Sequence, residues 1–368
     1  MKEFSIFCPY CGKNYNKNEL LFQCSCGKAL SIKYLIDNDI KLVTNKHMNC
    51  MWRYTSLLPF DIESNEAISF GEGATPLLKD IYNDKKFFIK LESINPSGSF
   101  KDRGVSLVIS HLKSIGIKEF LEDSSGNAGL SYTMYAAKAM LHAHIFVPNY
   151  LSEHRLFHLN LLNAKVTIIP GSRKDVAEAA ICASKDIFYA SHAWSPLFLH
   201  GVKTIAYEIY ESLNTKHLPP IYVPTGNGTL LLGLYLGFKD LLALKLIHEL
   251  PRLYAVQPEN CAPLKYFKEH NSLDGFKSTY SVAEGTLIEK PPRIIEMLNA
   301  VDKSKGKIIT ISEETIIDAF KVINRKGYFI EPTSALAFAS FMEQPEGNGV
   351  VVLTGSALKI GSFNKLNQ

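Results

Sequence analysis

Short apolar runs alternate with longer segments of helical periodicity along most of the chain from about residue 71. The pattern predicts strands at KKFFIKLES, EFLED, HAHIFVP, KVTIIPG, IFYAS, IYVP, RLYAVQPE and NGVVVLTGS. It predicts helices at VSLVISHLKSIG, NAGLSYTMYAAKAML, residues 153–163, KDVAEAAICASKD, VKTIAYEIYESLN, LLLGLYLGFKDLLALKLI and EETIIDAFKVINRKG. Apolar strands that alternate with helices predict an α/β fold whose sheets are mostly parallel and covered by helices on both faces.

Composition narrows the class of protein without identifying it. The chain has 368 residues, of which 46% are hydrophobic and 21% charged, as expected of a globular protein with two or more domains. The net charge of +4 is mild and no dense basic stripe is present, so we expect no nucleic-acid partner. The apolar stretch TLLLGLYLGF is too short to cross a bilayer and MKEFSIFCPYCG lacks a signal-peptide core, which predicts a cytoplasmic protein with no membrane partner.

Four cysteines near the N-terminus form two close pairs, each followed by glycine. Cys8 and Cys11 have the spacing C-x2-C, and Cys24 and Cys26 have the spacing C-x-C. Two such turns can bind one tetrahedral zinc ion, so the pattern predicts a zinc ribbon with a structural metal site. The alternative is a ribbon fold whose cysteines hold no metal or are partly oxidised.

Four polar loops follow strands or begin helices, the positions at which open α/β folds bind ligands. The first, NPSGSFKDRG, places Lys101 at a loop-to-helix junction, either as a nucleophile or as a solvated lysine. The second, DSSGNAG, places Ser124, Ser125 and Asn127 at a helix N-terminus, where they could bind an anion or only cap the helix.

The third loop, PTGNGT, places two glycines at a strand end before a helix, where backbone N–H groups could surround a small phosphate. The fourth, TGSALK, places Thr354 and Ser356 at the end of the last predicted strand. The alternative for PTGNGT is a plain strand-to-helix turn, and the alternative for TGSALK is a polar strand end.

The four loops in this order resemble those of the threonine synthase family of fold-type II pyridoxal-phosphate enzymes. GEGATPLL and HGVKTIAYEI extend the resemblance, and the cysteine ribbon occurs in many threonine synthases. The resemblance implies two open sheet domains of the tryptophan synthase β-like class. It divides the chain into a ribbon at 1–32, a large cofactor domain at 33–104 plus 201–368, and a small mobile domain at 105–200 that carries the SSGN loop. Such enzymes are usually homodimers.

The resemblance also implies roles for individual residues. Lys101 would form the Schiff base with pyridoxal 5'-phosphate, and Thr354, rather than Ser356, would face the ring nitrogen. Asn127 would bind the ring hydroxyl, and Gly285 would border the ring. The phosphate would be bound by Gly226, Asn227, Gly228 and Thr229, and the amino-acid substrate by Ser124, Ser125, Asn127 and Lys203.

Two departures from the family pattern affect the expected substrate. Threonine synthases usually have T-G-H-G-L-K where this chain has TGSALK, and Phe198 stands where an arginine grips the substrate phosphate. The resemblance implies conversion of O-phosphohomoserine and water to threonine and phosphate. The departures favour an alternative, β-replacement or β-elimination on a serine derivative, as in cysteate synthase or an ammonia-lyase. A ribbon-bearing binding protein without catalysis is the third possibility.

Overall fold

The computed structural model describes residues 4–16, 19, 21–35, 42–43, 47–60, 66–344 and 347–359. The strands are, in chain order, β1 (Phe4–Phe7), β2 (Asn14–Tyr15), β3 (Ser31–Tyr34), β4 (Leu77–Tyr82), β5 (Lys85–Leu91), β6 (Glu119–Glu122), β7 (His142–Pro148), β8 (Lys165–Ile169), β9 (Ile221–Pro224), β10 (Leu253–Pro258), β11 (Lys307–Ile311) and β12 (Val350–Leu353). The helices are α1 (Lys101–Ser114), α2 (Asn127–Ala139), α3 (Glu153–Leu161), α4 (Arg173–Ala183), α5 (Pro196–Val202), α6 (Thr204–Leu213), α7 (Thr229–Ala243), α8 (Pro263–His270), α9 (Ile294–Lys303), α10 (Glu313–Arg325) and α11 (Pro332–Glu343).

The chain divides into two compact units, each made of two stretches of sequence. The first unit comprises Met1–Glu72 and Lys101–Gly201, and the second comprises Gly73–Phe100 and Val202–Gln368. This division groups residues 33–72 with the first unit, whereas the domain bounds expected from sequence place them in the large cofactor domain. Those expected bounds remain a prediction.

The first unit contains two small sheets. One is antiparallel, with the order β2-β1-β3, and the other is parallel, with the order β6-β7-β8. The predicted strand IFYAS forms only a single parallel bridge, between Tyr189 and Leu121. A turn at residues 192–194 follows it directly, so its extended part is too short for a full ladder. The segment nevertheless runs alongside β6 and ends at the same edge of the sheet.

The second unit is built on one six-stranded sheet with the order β11-β10-β9-β12-β5-β4. Its strands are parallel except for β4, which pairs antiparallel with β5. Every residue of β9, β10 and β12 is buried, as expected of parallel strands with helices on both faces. Phe338 and Phe341 of α11 pack on Phe87 of β5 and help to form the core of this unit.

Helix ends follow local sequence signals, with one difference from the prediction. Ser172 forms a capping box with Asp175 at the start of α4, and Ser312 accepts a hydrogen bond from the Thr315 backbone at the start of α10. The sequence predicts one helix over VKTIAYEIYESLN, but the structure ends α5 at Val202 and begins α6 at Thr204.

Among the described residues, every helix is too short or too polar to cross a lipid bilayer.

Candidate active site

Lys101 is the first residue of α1 and is half-buried. A tight turn precedes it, in which the Gly98 backbone N–H donates to the Asn95 carbonyl at 2.6 Å and Gly98 has a φ of +78°. Glycine adopts this left-handed conformation without strain. The Lys101 Nζ lies 5.5 Å from the centroid of the Phe198 ring, within cation–π range. The lysine predicted to react is therefore packed on an aromatic ring rather than fully solvated.

Buried polar contacts fix the start of α1 within the first unit. Ser131 of α2 donates its hydroxyl to the Asp102 carboxylate at 2.5 Å. Trp52 donates its indole N–H to both Glu72 and Ser106, at 3.0 Å each. Because these groups are buried, a bond lost between them could not be replaced by a bond to bulk water. This network holds the backbone that carries Lys101, and the sequence analysis did not identify it.

Phe198 is fully buried and fills a space left by Gly104 of α1. A Cβ built on Gly104 would lie 2.5 Å from the Phe198 ring, so no larger residue fits there unless the ring moves. On its other side the ring packs edge-on against His192, with 5.9 Å between ring centroids. The position predicted to hold a substrate phosphate in relatives is thus an apolar, closely packed surface in this chain.

A buried acid–imidazole pair lies next to Phe198. Glu122, the last residue of β6, accepts a hydrogen bond from the His192 backbone N–H at 3.1 Å, and its other carboxyl oxygen lies 2.8 Å from the His192 Nδ1. The neighbouring Asp123 pairs with Arg173 at 2.7 Å. Sequence analysis singled out neither Glu122 nor Asp123, since their partners lie 70 and 50 residues away in the chain.

The SSGN loop connects β6 to α2. Asn127 is the first residue of α2, and the Gly126 backbone N–H donates to the Ser124 hydroxyl at 3.3 Å. A Cβ on Gly129 would lie 1.8 Å from the Ser124 carbonyl oxygen, so this close approach requires glycine. Ser124, Ser125 and Asn127 are partly exposed at the helix N-terminus, where an anion is stabilised by the helix dipole.

The GNGT loop connects β9 to α7 and has almost no room for side chains. A Cβ on Gly226 would lie 2.9 Å from the Gly285 carbonyl oxygen, and a Cβ on Gly228 would lie 2.4 Å from the Met297 sulfur. Gly228 also has a φ of +86°. Asn227 accepts hydrogen bonds from the Thr229 backbone N–H and hydroxyl, at 3.2 and 3.0 Å. Backbone at the N-terminus of a 15-residue helix is suited to a phosphate, so this loop fits that group of the expected cofactor.

Thr354 follows β12, the strand adjacent to β9, so its loop and the GNGT loop emerge at the same edge of the sheet. Its hydroxyl oxygen lies 2.9 Å from the Ser334 hydroxyl oxygen, and both residues are buried. Ser334 also accepts from the Gly355 backbone N–H at 2.8 Å and lies 3.0 Å from the Gly355 carbonyl oxygen. The sequence analysis did not identify Ser334. Gly285 donates its backbone N–H to the Thr333 hydroxyl at 3.0 Å.

Lys203 is fully buried and forms an ion pair with Asp240 at 2.7 Å. Tyr207 donates its hydroxyl to the same carboxylate at 2.5 Å. Burial lowers the pKa of Lys203, and the Asp240 carboxylate partly offsets this by raising it. The structure therefore gives Lys203 an ion-pair partner on α7, and its role toward substrate remains a prediction.

The four N-terminal cysteines lie together. Their sulfur atoms are all within 4.8 Å of one another, with 3.6 Å between Cys8 and Cys26 and 3.5 Å between Cys11 and Cys24. Sulfurs about 2.3 Å from a tetrahedral zinc ion are about 3.8 Å apart, so the donor set and its size fit this metal. Gly12 and Gly27 have left-handed backbone conformations after the two pairs, which explains the glycine at each turn.

Sequence comparison gives one family for most of the chain. The sequence pattern of the family described as "Pyridoxal-phosphate dependent enzyme" matches residues 68–355. The threonine synthase of Methanocaldococcus jannaschii is 29% identical over 374 residues, covering 96% of this chain and 92% of that protein. The threonine synthase of Methanosarcina acetivorans is 29% identical over 350 residues, covering 91% of this chain and 85% of that protein. The predicted resemblance to threonine synthases is confirmed.

Solved structures share the fold at lower sequence identity. A fungal L-serine ammonia-lyase from Rhizomucor miehei has a TM-score of 0.67 and 20% identity, covering 77% of this chain and 94% of that chain. A maize serine racemase has a TM-score of 0.65 and 19% identity, covering 78% of this chain and 89% of that chain. The fold class predicted from the sequence is confirmed.

Proposed function

Because the chain belongs to the family of pyridoxal-phosphate-dependent enzymes, we propose that it is a threonine-synthase-like lyase that binds this cofactor through Lys101. The main observation is the placement of Lys101 at the start of α1, half-buried against Phe198 and held by buried contacts of Asp102 and Ser106. The neutral amine of a lysine is the form that attacks an aldehyde, and a half-buried position at the start of a helix places such an amine next to a bound ligand.

The other loops account for the remaining faces of the cofactor. Gly226, Asn227, Gly228 and Thr229 would bind its phosphate, because their backbone precedes and begins α7, where N–H groups and the helix dipole favour an anion. Thr354 would face the ring nitrogen with a neutral hydroxyl, and Asn127 would bind the ring hydroxyl. When bound, the cofactor supplies an electron sink for the carbon from which a proton is removed.

The chain's own residues then orient the substrate and move protons. Ser124, Ser125 and Asn127 would bind the substrate carboxylate at the N-terminus of α2. The amine of Lys101 would take the proton from Cα.

Different observations support two candidate substrates, O-phosphohomoserine and a serine derivative. The relatives named threonine synthase support O-phosphohomoserine, which would be converted with water to threonine and phosphate. Phe198 favours the alternative, elimination or replacement on a serine derivative, because a buried phenyl ring cannot pair with a phosphate dianion.

Borohydride reduction tests the assignment of Lys101. We expect mass spectrometry of the reduced holoenzyme to find the cofactor on the peptide that contains Lys101. The variant Lys101→Ala should lose both the label and the visible absorbance. Lys113→Ala serves as a matched control, because Lys113 lies on the same helix and donates to the Ala139 carbonyl. A label that persists on another lysine in Lys101→Ala would contradict the assignment.

Assays with O-phosphohomoserine, O-phosphoserine, serine and threonine separate the two reactions. Release of threonine and phosphate from O-phosphohomoserine would support the first. Turnover of only the serine derivatives or threonine would refute it in favour of the alternative.

Three further properties belong to the same proposal. Cys8, Cys11, Cys24 and Cys26 would hold a structural zinc ion, since four thiolates leave no open coordination position. The protein would act in the cytoplasm. It would form a homodimer, as its family usually does.

A further inference from the structure

Glu122 and His192 emerge together at the carboxyl edge of the small parallel sheet. Glu122 ends β6, and His192 follows the segment that runs beside β6 through backbone bonds between Leu121 and both Phe188 and Ala190, at 2.8 Å each. Phe198 packs on the His192 ring and lies beneath the Lys101 amine. The acid–imidazole pair is therefore one aromatic ring away from the lysine that the proposed reaction uses.

The hydrogen bonds of this pair determine which imidazole nitrogen can exchange a proton. When Glu122 is ionised it can only accept, so the neighbouring Nδ1 of His192 then carries the proton and the lone pair of the neutral ring lies on Nε2. A carboxylate that orients a histidine in this way is a recurring element of proton-transfer sites. About 10% of the His192 side chain is exposed, whereas the side chain of Glu122 is completely buried. The pair can therefore reach its surroundings only through the imidazole.

The pair titrates as one unit. Its basic form carries one negative charge, and its protonated form is neutral overall, with the added proton shared between the Glu122 carboxyl and the imidazole. Burial raises the pKa of the Glu122 carboxyl to about 7, while His192, Arg173, Lys101 and Ser124 lower it. Burial also lowers the pKa of His192 well below its usual value, so the proton that the pair gains is held largely by the carboxyl. Asp123, Tyr132 and Tyr189 also lie within electrostatic range of these groups. A group that titrates near neutral pH is suited to proton transfer.

We propose that His192, oriented by Glu122, donates the proton to an oxygen leaving group, so that the substrate is a β-hydroxy amino acid of the serine or threonine type. The inference rests on the proposed function and selects its alternative reaction, elimination or replacement on a serine derivative. Arg173 already compensates Asp123, and the imidazole compensates Glu122, which disfavours a metal ion at the same carboxylates.

The protons and electrons of this step balance. The Lys101 amine takes the Cα proton, and the Cβ–O bond breaks with both electrons on oxygen. That oxygen takes the proton from Nε2 and leaves as water, while the carbon skeleton gains a double bond between Cα and Cβ. The proton on Lys101 then returns to the Glu122–His192 pair. Hydroxide is a very poor leaving group without this proton, whereas phosphate depends on proton donation much less.

Leaving-group dependence tests the proposal in the holoenzyme. We expect His192→Asn to lower kcat/KM for serine by ~10²- to 10⁴-fold and for O-phosphoserine by less than ~10-fold. Equal losses for both substrates would overturn it. His144→Asn is the matched control, because His144 pairs with Glu119 in the same sheet but lies nearer the surface. That control should leave both rates unchanged.

Nitrogen-15 NMR of the cofactor-free protein provides a readout that does not depend on activity. We expect the His192 imidazole to carry its proton on Nδ1 in the basic form of the pair and its Nε2 to gain a proton when the pair is protonated, and we expect Glu122→Gln to remove that change. A His192 signal that stays unchanged between about pH 5 and 9 would overturn the inference. If the wild type binds no cofactor or turns over no substrate, the proposed function fails, while the NMR result still decides the state of the pair.

Discussion

At Gly104, the absence of a side chain leaves the space that the Phe198 ring occupies. The two residues are 94 positions apart, yet each determines which side chains are possible at the other. Because the Lys101 amine lies over the same ring, a displacement of Phe198 would change the surroundings of Lys101. The identity of residue 104 therefore affects both the stability of the first unit and the geometry of the proposed site.

Gly104→Ala should lower the free energy of unfolding by about 1–3 kcal/mol, because the new Cβ overlaps the Phe198 ring. Urea denaturation measures this change. The double variant Gly104→Ala with Phe198→Leu should recover part of the loss, since a smaller side chain relieves the overlap. Gly347→Ala is the control, because its Cβ would meet no atom closer than 3.4 Å. Additive effects of the two substitutions would argue against direct contact.

Ser334→Ala should destabilise the second unit by about 1–3 kcal/mol, because the buried Gly355 N–H loses its acceptor. We also expect weaker cofactor binding, since the Thr354 hydroxyl loses its neighbour. Denaturation and a cofactor titration measure the two effects. Ser340→Ala is the matched control, because Ser340 lies on the same helix and its buried Oγ has no hydrogen-bond partner among the described residues. Equal effects of the two variants would contradict the argument.

At the scale of helices and strands, most of the fold could be predicted from apolar periodicity. The strand β7 and the helix α10 appear in the structure within two residues of the prediction, and β12 within three. Periodicity predicts a strand at IFYAS but could not show that the segment forms only a single bridge, because its pairing is cut short by the turn that follows it. Similarly, the break between α5 and α6 at Lys203 is not visible in the periodicity, which continues across it.

The candidate site was predicted only where its residues occur in a recognisable local motif. Lys101, Asn127 and the GNGT loop each follow a strand or begin a helix, and the sequence marks them. Glu122 and Ser334 carry no such local signal. Each acts through a partner at least 20 residues away, so only the folded chain reveals it.

The cysteine ribbon should contain one zinc ion per chain, measurable by native mass spectrometry. Cys24→Ser should lower zinc occupancy, because a serine hydroxyl is a poor ligand for this metal. Cys182→Ser, which removes an exposed cysteine outside the cluster, should leave the zinc content unchanged. A wild-type ribbon that folds and stays free of zinc when the metal is supplied would refute the assignment.

For the whole molecule, buried histidines make stability depend on pH. His111 of α1 lies between the rings of Phe4 and Phe60, and burial lowers its pKa to about 4. The unfolded chain takes up this proton from pH 6.5 downward, whereas the folded chain does so only near pH 4. Above pH 6.5 the neutral His111 therefore contributes about 3 kcal/mol to the free energy of unfolding, relative to acidic pH. This contribution is lost as the pH falls toward 4.

His111→Phe should remove this part of the acid sensitivity, because phenylalanine fits among aromatic rings and does not titrate. Thermal unfolding between about pH 4 and 7 should show a shallower decline for the variant than for the wild type. His142→Phe is the control, since His142 is exposed at the start of β7. Parallel pH curves for the wild type and His111→Phe would contradict the assignment.

The pairing of β5 with β12 has a consequence for synthesis on the ribosome. Phe88 is opposite Val350 in the centre of the large sheet, and Lys359 donates to the Gly98 carbonyl 261 residues earlier in the chain. At about 5–20 residues per second, β5 leaves the ribosome roughly 13 to 52 seconds before its partner. During that interval the apolar strand FFIKL has an unpaired edge. The exposed edge therefore gives chaperones that bind extended apolar segments a target early in synthesis, well before the second unit can close.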